Sequence, residues 1–447
     1  MKLLSFFRGE TFARGIHPPH HKDAAQRAIR RLAFAPRLVV PLAQHVGRPS
    51  LPLVRVGQEV VRGEPIAAAD GWLSVPQHAP ASGVVEAIGL RPGAKGPWQQ
   101  SIVIRVHPAS TQQVLWAAPQ DVDALDTAGL LEAVQASGMV GLGGGAFPSH
   151  AKMRVPQEYP VDTLVVNGCE CEPYLTSDHR VMVEQPAELV RGIGLVRRVL
   201  GNPRVIVGVE DNKPDAVAAI IRHLPDDGSI TVEAVPTKYP QGAGEMLIKT
   251  LTGREVPPDA RSYQVGAYVQ NVATLAGIGA LLPRGEGFIE RVVSVVGTAV
   301  ARPGNYRVAI GTPLRFLLEQ VGLTDPSIRV VFGGPMMGQA VASLEAPLTK
   351  SVAGVLVLRV RDLEAVAARK TYPCIKCGEC IESCPMGLNP SMLGMLAAKR
   401  EYGQMAERYH LGACFECGTC SYVCPASIPL VQQFRVAKGV LRERAAA

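Results

Sequence analysis

Aromatic residues and long apolar runs are scarce in this sequence. Only 5% of its 447 residues are Phe, Trp or Tyr, and no stretch approaches the roughly 18 apolar residues of a membrane-spanning helix. The basic, apolar start at residues 1–8 is too short for a signal peptide, and no cleavage site follows it. Lys and Arg are scattered without interleaved aromatics, so the net charge of +7 does not indicate nucleic-acid binding. We therefore expect a soluble or peripheral protein that binds no nucleic acid.

Cysteine is also missing from most of the chain. All ten cysteines fall in three short groups, a distribution typical of ligands rather than of disulfide bonds, and it predicts a reducing compartment. Charged residues make up 19% of the chain against 47% hydrophobic ones, which is ample core material for about three or four domains.

Two copies of one cysteine spacing lie near the carboxyl end. Each reads Cys-x2-Cys-x2-Cys-x3-Cys-Pro, the ligand run of proteins with two [4Fe–4S] clusters, in which the fourth Cys of each run ligates the other cluster. The alternative is a pair of four-cysteine zinc sites, but these usually separate two Cys-x2-Cys hairpins by a longer spacer. The spacing therefore assigns Cys374, Cys377, Cys380 and Cys424 to one cluster, and Cys414, Cys417, Cys420 and Cys384 to the other.

Residues 36–108 consist of short apolar stretches separated by Gly and Pro, a pattern that predicts a small all-β domain. The stretches at 56–64 and 78–85 are similar to the barrel-sandwich of lipoyl and biotin carriers. Those carriers attach their cofactor to a Lys between the two stretches, but residues 63–94 contain none. We expect a structural or docking domain without a swinging arm, preceded by a basic, loop-like segment at 1–35.

Strands alternate with helices over residues 122–285, which predicts an α/β domain with a parallel sheet. A loop with four glycines in five residues, at 141–145, follows its first helix. Glycine lets backbone N–H groups approach a phosphate closely, and Lys152 beyond the loop can neutralise that phosphate. A mobile connector is the competing interpretation of such a loop.

Acidic residues follow the predicted strands of this domain. Glu170 and Glu172 come after a short strand of buried type, and Glu210 follows the next strand. Ligands of parallel sheets bind beyond the carboxyl ends of the strands, so we expect the pocket there. Cys169 and Cys171 lack two further ligands nearby and are interpreted as pocket or packing residues.

Two smaller domains complete the prediction. Strands and one helix at 286–345 indicate a small β-grasp domain, and residues 365–440 carry both cysteine runs. Between the runs, residues 390–409 are amphipathic and rich in Ala, Met and Leu, which predicts helix. The expected fold is thus a multidomain α/β protein with a Rossmann-like central domain and a helical ferredoxin domain.

Taken together, these segments resemble the RnfC subunit of the Rnf ion-translocating electron-transport complex over nearly the whole chain. The central part is also similar to the flavin-bearing NADH-oxidising subunit of respiratory complex I. The resemblance rests on Gly-Ile-His-Pro-Pro at 15–19, the glycine loop, Glu-Cys-Glu-Pro-Tyr at 170–174, Glu-Asp-Asn-Lys-Pro at 210–214, Leu-Thr-Gly-Arg-Glu-Val-Pro at 251–257, Gly-Gly-Pro-Met-Met-Gly at 333–338 and both cysteine runs.

The resemblance implies an NADH:ferredoxin oxidoreductase subunit of a translocase that couples electron flow to Na⁺ or H⁺ movement. NADH gives up two electrons together and [4Fe–4S] clusters accept them singly, so a flavin is the expected converter, by analogy FMN. The implied partners are the membrane subunits of the complex, NADH and, indirectly, ferredoxin. The implied location is the cytoplasmic face of the bacterial inner membrane, with the segment at 1–35 and the barrel as the expected contacts.

The same resemblance implies the site residues, although it assigns no catalytic residue. Phe147 would stack on the nicotinamide nucleotide, and Glu172 would line the access route of that nucleotide. Gly141, Gly143, Gly144 and Lys152 would hold the FMN phosphate and ribityl chain, with Asn167, Glu170, Asn271 and Thr274 around the rest.

The chain departs from the family pattern in the glycine loop. Related proteins usually read Gly-Gly-Ala-Gly-Phe-Pro, whereas here Ala146 directly precedes Phe147. A methyl group at the closest backbone approach weakens nucleotide binding or requires a different φ. Glu245 also stands where relatives often carry a cation. Two alternatives therefore stay open: an electron conduit without nucleotide chemistry, and the cobalamin reductase of bacterial microcompartments, against which the amino-terminal segment and barrel argue.

Overall fold

The computed structural model describes residues 4–6, 11–94, 96 and 98–446. Two three-residue strands, β1 (Leu4–Phe6) and β2 (Ile29–Arg31), come first in the chain and pair with strands of later domains. No helix within these ranges combines the length and the apolar content that crossing a bilayer requires.

Seven short strands form a barrel-sandwich after them. They make two sheets, whose strand orders are β3-β9-β8-β5 and β4-β6-β7. Val85, Ile102 and Ile104 point between the sheets and are fully buried, because side chains alternate between the two faces of a strand. The strands are β3 (Arg37–Pro41), β4 (Leu51–Pro52), β5 (Glu59–Val60), β6 (Pro65–Ala68), β7 (Gln77–His78), β8 (Gly83–Pro92) and β9 (Trp98–Val106).

The central domain is a parallel sheet covered by helices. Its strand order is β1-β12-β11-β10-β13, and every neighbouring pair is parallel. The central strands are buried on both faces, which explains their continuous apolar runs. The elements are α1 (Thr127–Ala136), α2 (Ser149–Met153), β10 (Thr163–Gly168), α3 (Ser177–Glu184), α4 (Pro186–Val199), β11 (Arg204–Glu210), α5 (Pro214–Ile221), β12 (Ile230–Val235), α6 (Gly244–Thr252), β13 (Ala267–Asn271) and α7 (Val272–Leu281), with 3-10 turns at Ser262–Val265 and Leu282–Arg284.

Capping side chains fix the helices around the sheet edge. The Asp126 carboxylate accepts the amide of Gly129 at 2.8 Å and starts α1. Asn271 starts α7 in the same way, since its Oδ1 accepts the amide of Thr274 at 3.2 Å. Because β10 and β13 are parallel neighbours, the carboxyl end of β10 lies beside the amino end of α7.

A mixed six-stranded sheet follows, ordered β17-β16-β18-β14-β15-β2. The range expected for this domain, 286–345, misses β2 and β18. Both strands join the sheet from outside that range, and pairing between distant segments leaves no local sequence signal. The elements are β14 (Glu290–Val296), β15 (Gly304–Ala309), α8 (Leu314–Val321), β16 (Ile328–Phe332), β17 (Gln339–Ala340) and β18 (Gly354–Arg359).

The cysteine-rich part is helical. Residues 390–409 form two helices rather than one, because the chain turns at Arg400, which has a φ of 61°. Leu393, Met405 and Phe434 make up much of its core. The elements are α9 (Val360–Ala367), α10 (Glu379–Glu382), α11 (Pro390–Ala398), α12 (Tyr402–Glu407), α13 (Thr419–Tyr422) and α14 (Leu430–Ala446), with a 3-10 turn at Leu411–Ala413.

The segment at 1–35 differs from the loop-like arm expected from sequence. Its residues 1–3 and 7–10 lie outside the described residues, and the described part contains β1 and β2. Residues 11–25, which we call the amino-terminal strap, are packed into the protein: Ile16 bridges Tyr239, and Ala24 is fully buried. Short edge strands carry too few residues to show a hydrophobic period, so no local pattern indicates them.

Glycines bring α4 and α7 into close contact, and this yields a stability prediction. A Cβ on Gly192 would lie 1.8 Å from the Leu275 carbonyl oxygen, whereas a Cβ on Gly194, in the same helix, would meet nothing within 4 Å. We expect Gly192→Ala to lower the free energy of unfolding by about 3 kcal/mol through overpacking. Gly194→Ala should raise it by about 0.5–1 kcal/mol, the helix-propensity difference. Denaturant titration followed by circular dichroism measures both, and equal effects would contradict the close packing.

Candidate functional site

The glycine loop is held at the amino end of α7. The amide of Leu142 donates to Thr274 Oγ1 at 2.9 Å, and the amide of Gly141 donates to the Phe147 carbonyl at 2.8 Å, which closes the loop. Thr274 is fully buried, so this anchor is shielded from water. The loop therefore has a defined seat on α7 and is not a free connector.

The tip of the loop presents unpaired backbone donors. Gly143, Gly144 and Gly145 are exposed, and in the described part of the chain none of their amides has a hydrogen-bond acceptor. A Cβ on Gly144 or Gly145 would meet nothing within 4 Å, so the space in front of the tip is open. Gly143 lies against the Asn271 side chain at the start of α7. Free amides beside a helix amino terminus make a favourable seat for a phosphate.

Ala146 follows this tip in the left-handed region, with a φ of 47°. Of the two consequences expected for the departure from the family pattern, the structure shows the altered backbone conformation. The Ala146 carbonyl accepts the amide of Val46 from the barrel at 3.1 Å. An alanine in this region costs roughly 1–2 kcal/mol relative to a right-handed one, so the surrounding contacts must hold it there.

Lys152 is bonded to β13 rather than to the glycine loop. Its ammonium donates to the Val269 carbonyl and to Gln270 Oε1, the latter at 3.1 Å, and it lies 5.2 Å from the centre of the Tyr268 ring. Burial lowers the pKa of Lys152 to about 8, and the nearby Glu245 opposes that shift. The Gln270 amide nitrogen beside it is buried with no partner among the described residues. This polar cluster is therefore incompletely satisfied.

Glu170 is used by the fold. Its Oε1 accepts the Ser177 hydroxyl at 3.1 Å and the Asp178 amide at 3.0 Å, and its Oε2 accepts the His179 amide at 3.1 Å. A buried carboxylate at the start of α3 satisfies amides that have no partner within the helix. Asn167, at the end of β10, donates to the Gly242 carbonyl at 2.8 Å. Both predicted residues thus shape the loop after β10.

Asp178 belongs to this region and was missed by sequence reasoning. Its Oδ2 accepts a hydrogen bond from Asn271 Nδ2 at 2.6 Å, which links α3 to the start of α7. Burial, and next the charge of Glu170, raise the pKa of Asp178 to about 7. The residue also lines a cavity of about 360 Å³ beside α3 and α7. Its position two residues after Thr176 was the available signal, since acidic residues favour the first turn of a helix.

Glu172 contacts the loop at 333–338. Its Oε1 accepts the amide of Met336 at 2.7 Å and that of Met337 at 3.1 Å. Burial raises the pKa of Glu172, and these two amides oppose the shift. The carboxylate expected on the nucleotide's access route is thus held by the mixed-sheet domain.

Cys169 and Cys171 lie in packed surroundings. Cys169 belongs to an apolar cluster against α6, and Cys171 Sγ accepts the Gly242 amide at 3.3 Å. Burial raises the pKa of both thiols. Nearby, Glu210 and Lys213 form a buried ion pair at 2.5 Å.

The eight cysteines of the two runs gather in two groups of four. A cavity of about 240 Å³ is lined by four of them, Cys374, Cys377, Cys380 and Cys424. In the second group, burial and then neighbouring thiols that include Cys384 raise the pKa of Cys414 to about 11 and that of Cys420 to about 12. Cys384 also acts on the pKa of Cys417. Each group therefore contains the fourth cysteine of the other run.

The second group adjoins the central domain. The Tyr239 hydroxyl donates to the Cys417 carbonyl at 2.6 Å, and these two residues share an apolar cluster with Ile16. Cys374 and Cys377 in the first group are exposed instead. The two cysteine sites thus differ in their surroundings, one facing the central domain and one facing solvent.

Four family descriptions match successive parts of the chain. Residues 134–280 match the Nuo51 FMN-binding domain and residues 10–108 the RnfC barrel sandwich hybrid domain. Residues 292–340 match the SLBB domain and residues 373–428 the 4Fe–4S dicluster domain. These matches confirm the mixed α/β architecture with a barrel-sandwich, an FMN-binding domain and a [4Fe–4S] domain.

Several curated proteins are similar along most of the chain. The RnfC subunit of the proton-translocating ferredoxin:NAD(+) oxidoreductase complex of Clostridium ljungdahlii is 38% identical, over 92% of this chain and 88% of that protein. The RnfC subunit of the ion-translocating oxidoreductase complex is 41% identical in Pseudomonas aeruginosa and 39% identical in Rhodobacter capsulatus. The match covers 97% and 96% of this chain respectively. It spans 83% of the Rhodobacter protein but only 56% of the Pseudomonas one.

Among solved structures, a chain of an NAD⁺-reducing [NiFe]-hydrogenase in the H₂-reduced state has a similar fold, with a TM-score of 0.52 and 21% identity. The similarity covers 69% of this chain and 63% of the hydrogenase chain. With relatives at 38–41% identity along nearly its whole length, the chain belongs to the RnfC family of ion-translocating oxidoreductase (Rnf) subunits.

Proposed function

We propose that this chain is the peripheral electron-transfer subunit of a membrane-bound, ion-translocating ferredoxin:NAD⁺ oxidoreductase. It passes electrons between NADH and two [4Fe–4S] clusters through FMN. The observation that carries the proposal is the presence, in one chain, of a loop with three free amides at the start of α7 and of two four-cysteine sites, one of them against the same domain.

The residues at the sheet edge fit FMN. The free amides of Gly143 and Gly144 receive the phosphate, while Gly141 and Thr274 hold the loop in place. Bound flavin exchanges electrons in pairs with NADH and singly with a cluster. Lys152 neutralises the phosphate from its position against β13. Asn167, Glu170 and Asn271 surround the remainder of the cofactor, Phe147 stacks on the nicotinamide nucleotide, and Glu172 lines its access route.

The cysteine groups fit two [4Fe–4S] clusters. Their high thiol pKa values mean that the sites are protonated until a metal binds, and iron coordination displaces those protons. Cys374, Cys377, Cys380 and Cys424 hold one cluster, and Cys414, Cys417, Cys420 and Cys384 hold the other.

The chain works with the membrane subunits of the complex, and ferredoxin is an indirect partner. We place it at the cytoplasmic face of the inner membrane. Support comes from the relatives, which are named as subunits of ion-translocating complexes, and from the use of cysteine as ligand, which is typical of a reducing compartment.

The first test is chemical analysis of the anaerobically purified protein. We expect about eight irons, matching sulfide and one FMN per chain, and bleaching of both flavin and cluster absorbance when NADH is added. Dithionite provides the control, since it reduces clusters without help from the flavin. Eight irons without flavin, or clusters that respond to dithionite and not to NADH, would contradict the proposal and establish the conduit alternative.

Ligand exchange between the two runs gives a second test. Cys374→Ser and Cys424→Ser should each remove the same cluster, about four irons, and the double variant should lose no more than either single one. Cys374→Ser combined with Cys384→Ser should lose both clusters. Cys171→Ser is the matched control and should leave the iron content unchanged. If Cys424→Ser and Cys374→Ser together abolish both clusters, each run holds its own cluster and the crossed assignment is wrong.

A further inference from the structure

The amino-terminal strap runs between the two redox regions of the protein. At one end, the Gly15 amide donates to the Ser383 carbonyl at 3.2 Å, and Arg14 donates to the Ile381 carbonyl at 3.2 Å. Ser383 directly precedes the cysteine Cys384. In the middle, Ile16 and Tyr239 exchange two backbone hydrogen bonds of 2.9 Å. This end of the strap therefore touches a cluster-ligand turn.

The other end of the strap inserts Lys22 behind the loop that follows β10. Its ammonium donates to three backbone carbonyls, those of Glu170 at 2.7 Å, Glu172 at 2.8 Å and Leu175 at 2.5 Å. All three of its N–H donors are thereby used. Burial lowers the pKa of Lys22, and the negative charge of Glu170 opposes this shift. An ammonium surrounded by carbonyl oxygens is a costly arrangement to lose, because those oxygens have no other donor in its absence.

Two further contacts hold this end. The Tyr174 amide donates to the His20 carbonyl at 2.9 Å, and the His21 ring stacks on the Tyr174 ring at 4.7 Å between centroids. The strap and the loop at 170–175 thus form one hydrogen-bonded unit. The loop cannot keep this conformation without the strap.

Lys22 also decides which way one peptide group of the loop faces. The C=O and N–H of a trans peptide point in opposite directions. Because the Glu170 carbonyl points at Lys22, the Cys171 amide points away from it, and this amide has no acceptor among the described residues. A backbone donor is therefore presented on the side of the loop opposite Lys22, with a positive charge behind it.

We propose that Lys22 is a positioning residue for the flavin: it fixes the loop at 170–175 so that its free donor faces the cofactor, and its charge favours the electron-rich, reduced form. The strap carrying Lys22 holds this loop in register with the turn before Cys384. This inference rests on the proposed flavin function and adds a residue that the family resemblance did not assign.

The test compares Lys22→Met with Lys238→Met. Lys238 is the matched control because its ammonium also binds the strap, through the Phe12 carbonyl at 2.7 Å, but makes no bond to the loop. We expect Lys22→Met to keep about eight irons, to weaken FMN binding on the order of tenfold or more, and to shift the flavin midpoint potential to a more negative value. Lys238→Met should match the unsubstituted protein in all three. The inference is overturned if the two variants have the same FMN dissociation constant and potential.

Lys22→Gln separates the charge from the hydrogen bonds and serves if Lys22→Met does not fold. Its amide keeps N–H donors for the carbonyls, so flavin is retained, while the potential still shifts to a more negative value because the charge is gone. An unchanged potential in Lys22→Gln would refute the electrostatic role. The outcome is separable from the proposed function itself: if the unsubstituted protein binds no flavin, the function fails, whereas flavin binding that ignores Lys22 removes this inference alone.

Discussion

A carboxylate and an ammonium, both withdrawn from water, organise the loop that follows β10. Buried charges are tolerated only when their hydrogen-bonding capacity is filled, and here it is filled by backbone. Glu170 takes two amides and a hydroxyl at the start of α3, and Lys22 takes three carbonyls of the same loop. Because donors and acceptors are matched on both sides, the loop has one favoured conformation. The position of α3, the orientation of Glu172 and the course of the strap all follow from it.

Much of this fold was readable from local sequence signals. The strands β10, β11 and β12 are short buried runs bounded by turn residues, and α4 begins at a proline and ends before Gly201, so their bounds were expected within a few residues. β1, β2 and β18 were not, because each is defined by a partner more than 50 residues away. The helix break at Arg400 likewise depends on packing within the cluster domain and not on a proline or glycine.

The candidate site shows the same division at the level of atoms. Sequence reasoning named Glu170, Glu172 and Lys152, and the structure places all three around the sheet edge. It could not tell that their charged atoms are bonded to the α3 amides, to the loop at 333–338 and to β13. Lys22 escaped attention for the same reason, since its partners lie about 150 residues further along the chain. Residue types indicate which chemistry is available, whereas only the tertiary partners show which atoms remain free for a ligand.

The contact between the central domain and the cluster domain is made largely with backbone atoms. Tyr239 donates to the Cys417 carbonyl, the Gly15 amide donates to the Ser383 carbonyl, and Arg435 reaches the Met337 carbonyl at 3.3 Å. A Cβ on Gly418 would lie 2.8 Å from the Met336 carbonyl oxygen, so these backbones approach as closely as glycine permits. Electron transfer depends on the separation of its centres, and a contact built from backbone keeps that separation when side chains on either surface change. The constraint on this interface therefore falls on a few glycines and on the strap, and not on the composition of the facing surfaces.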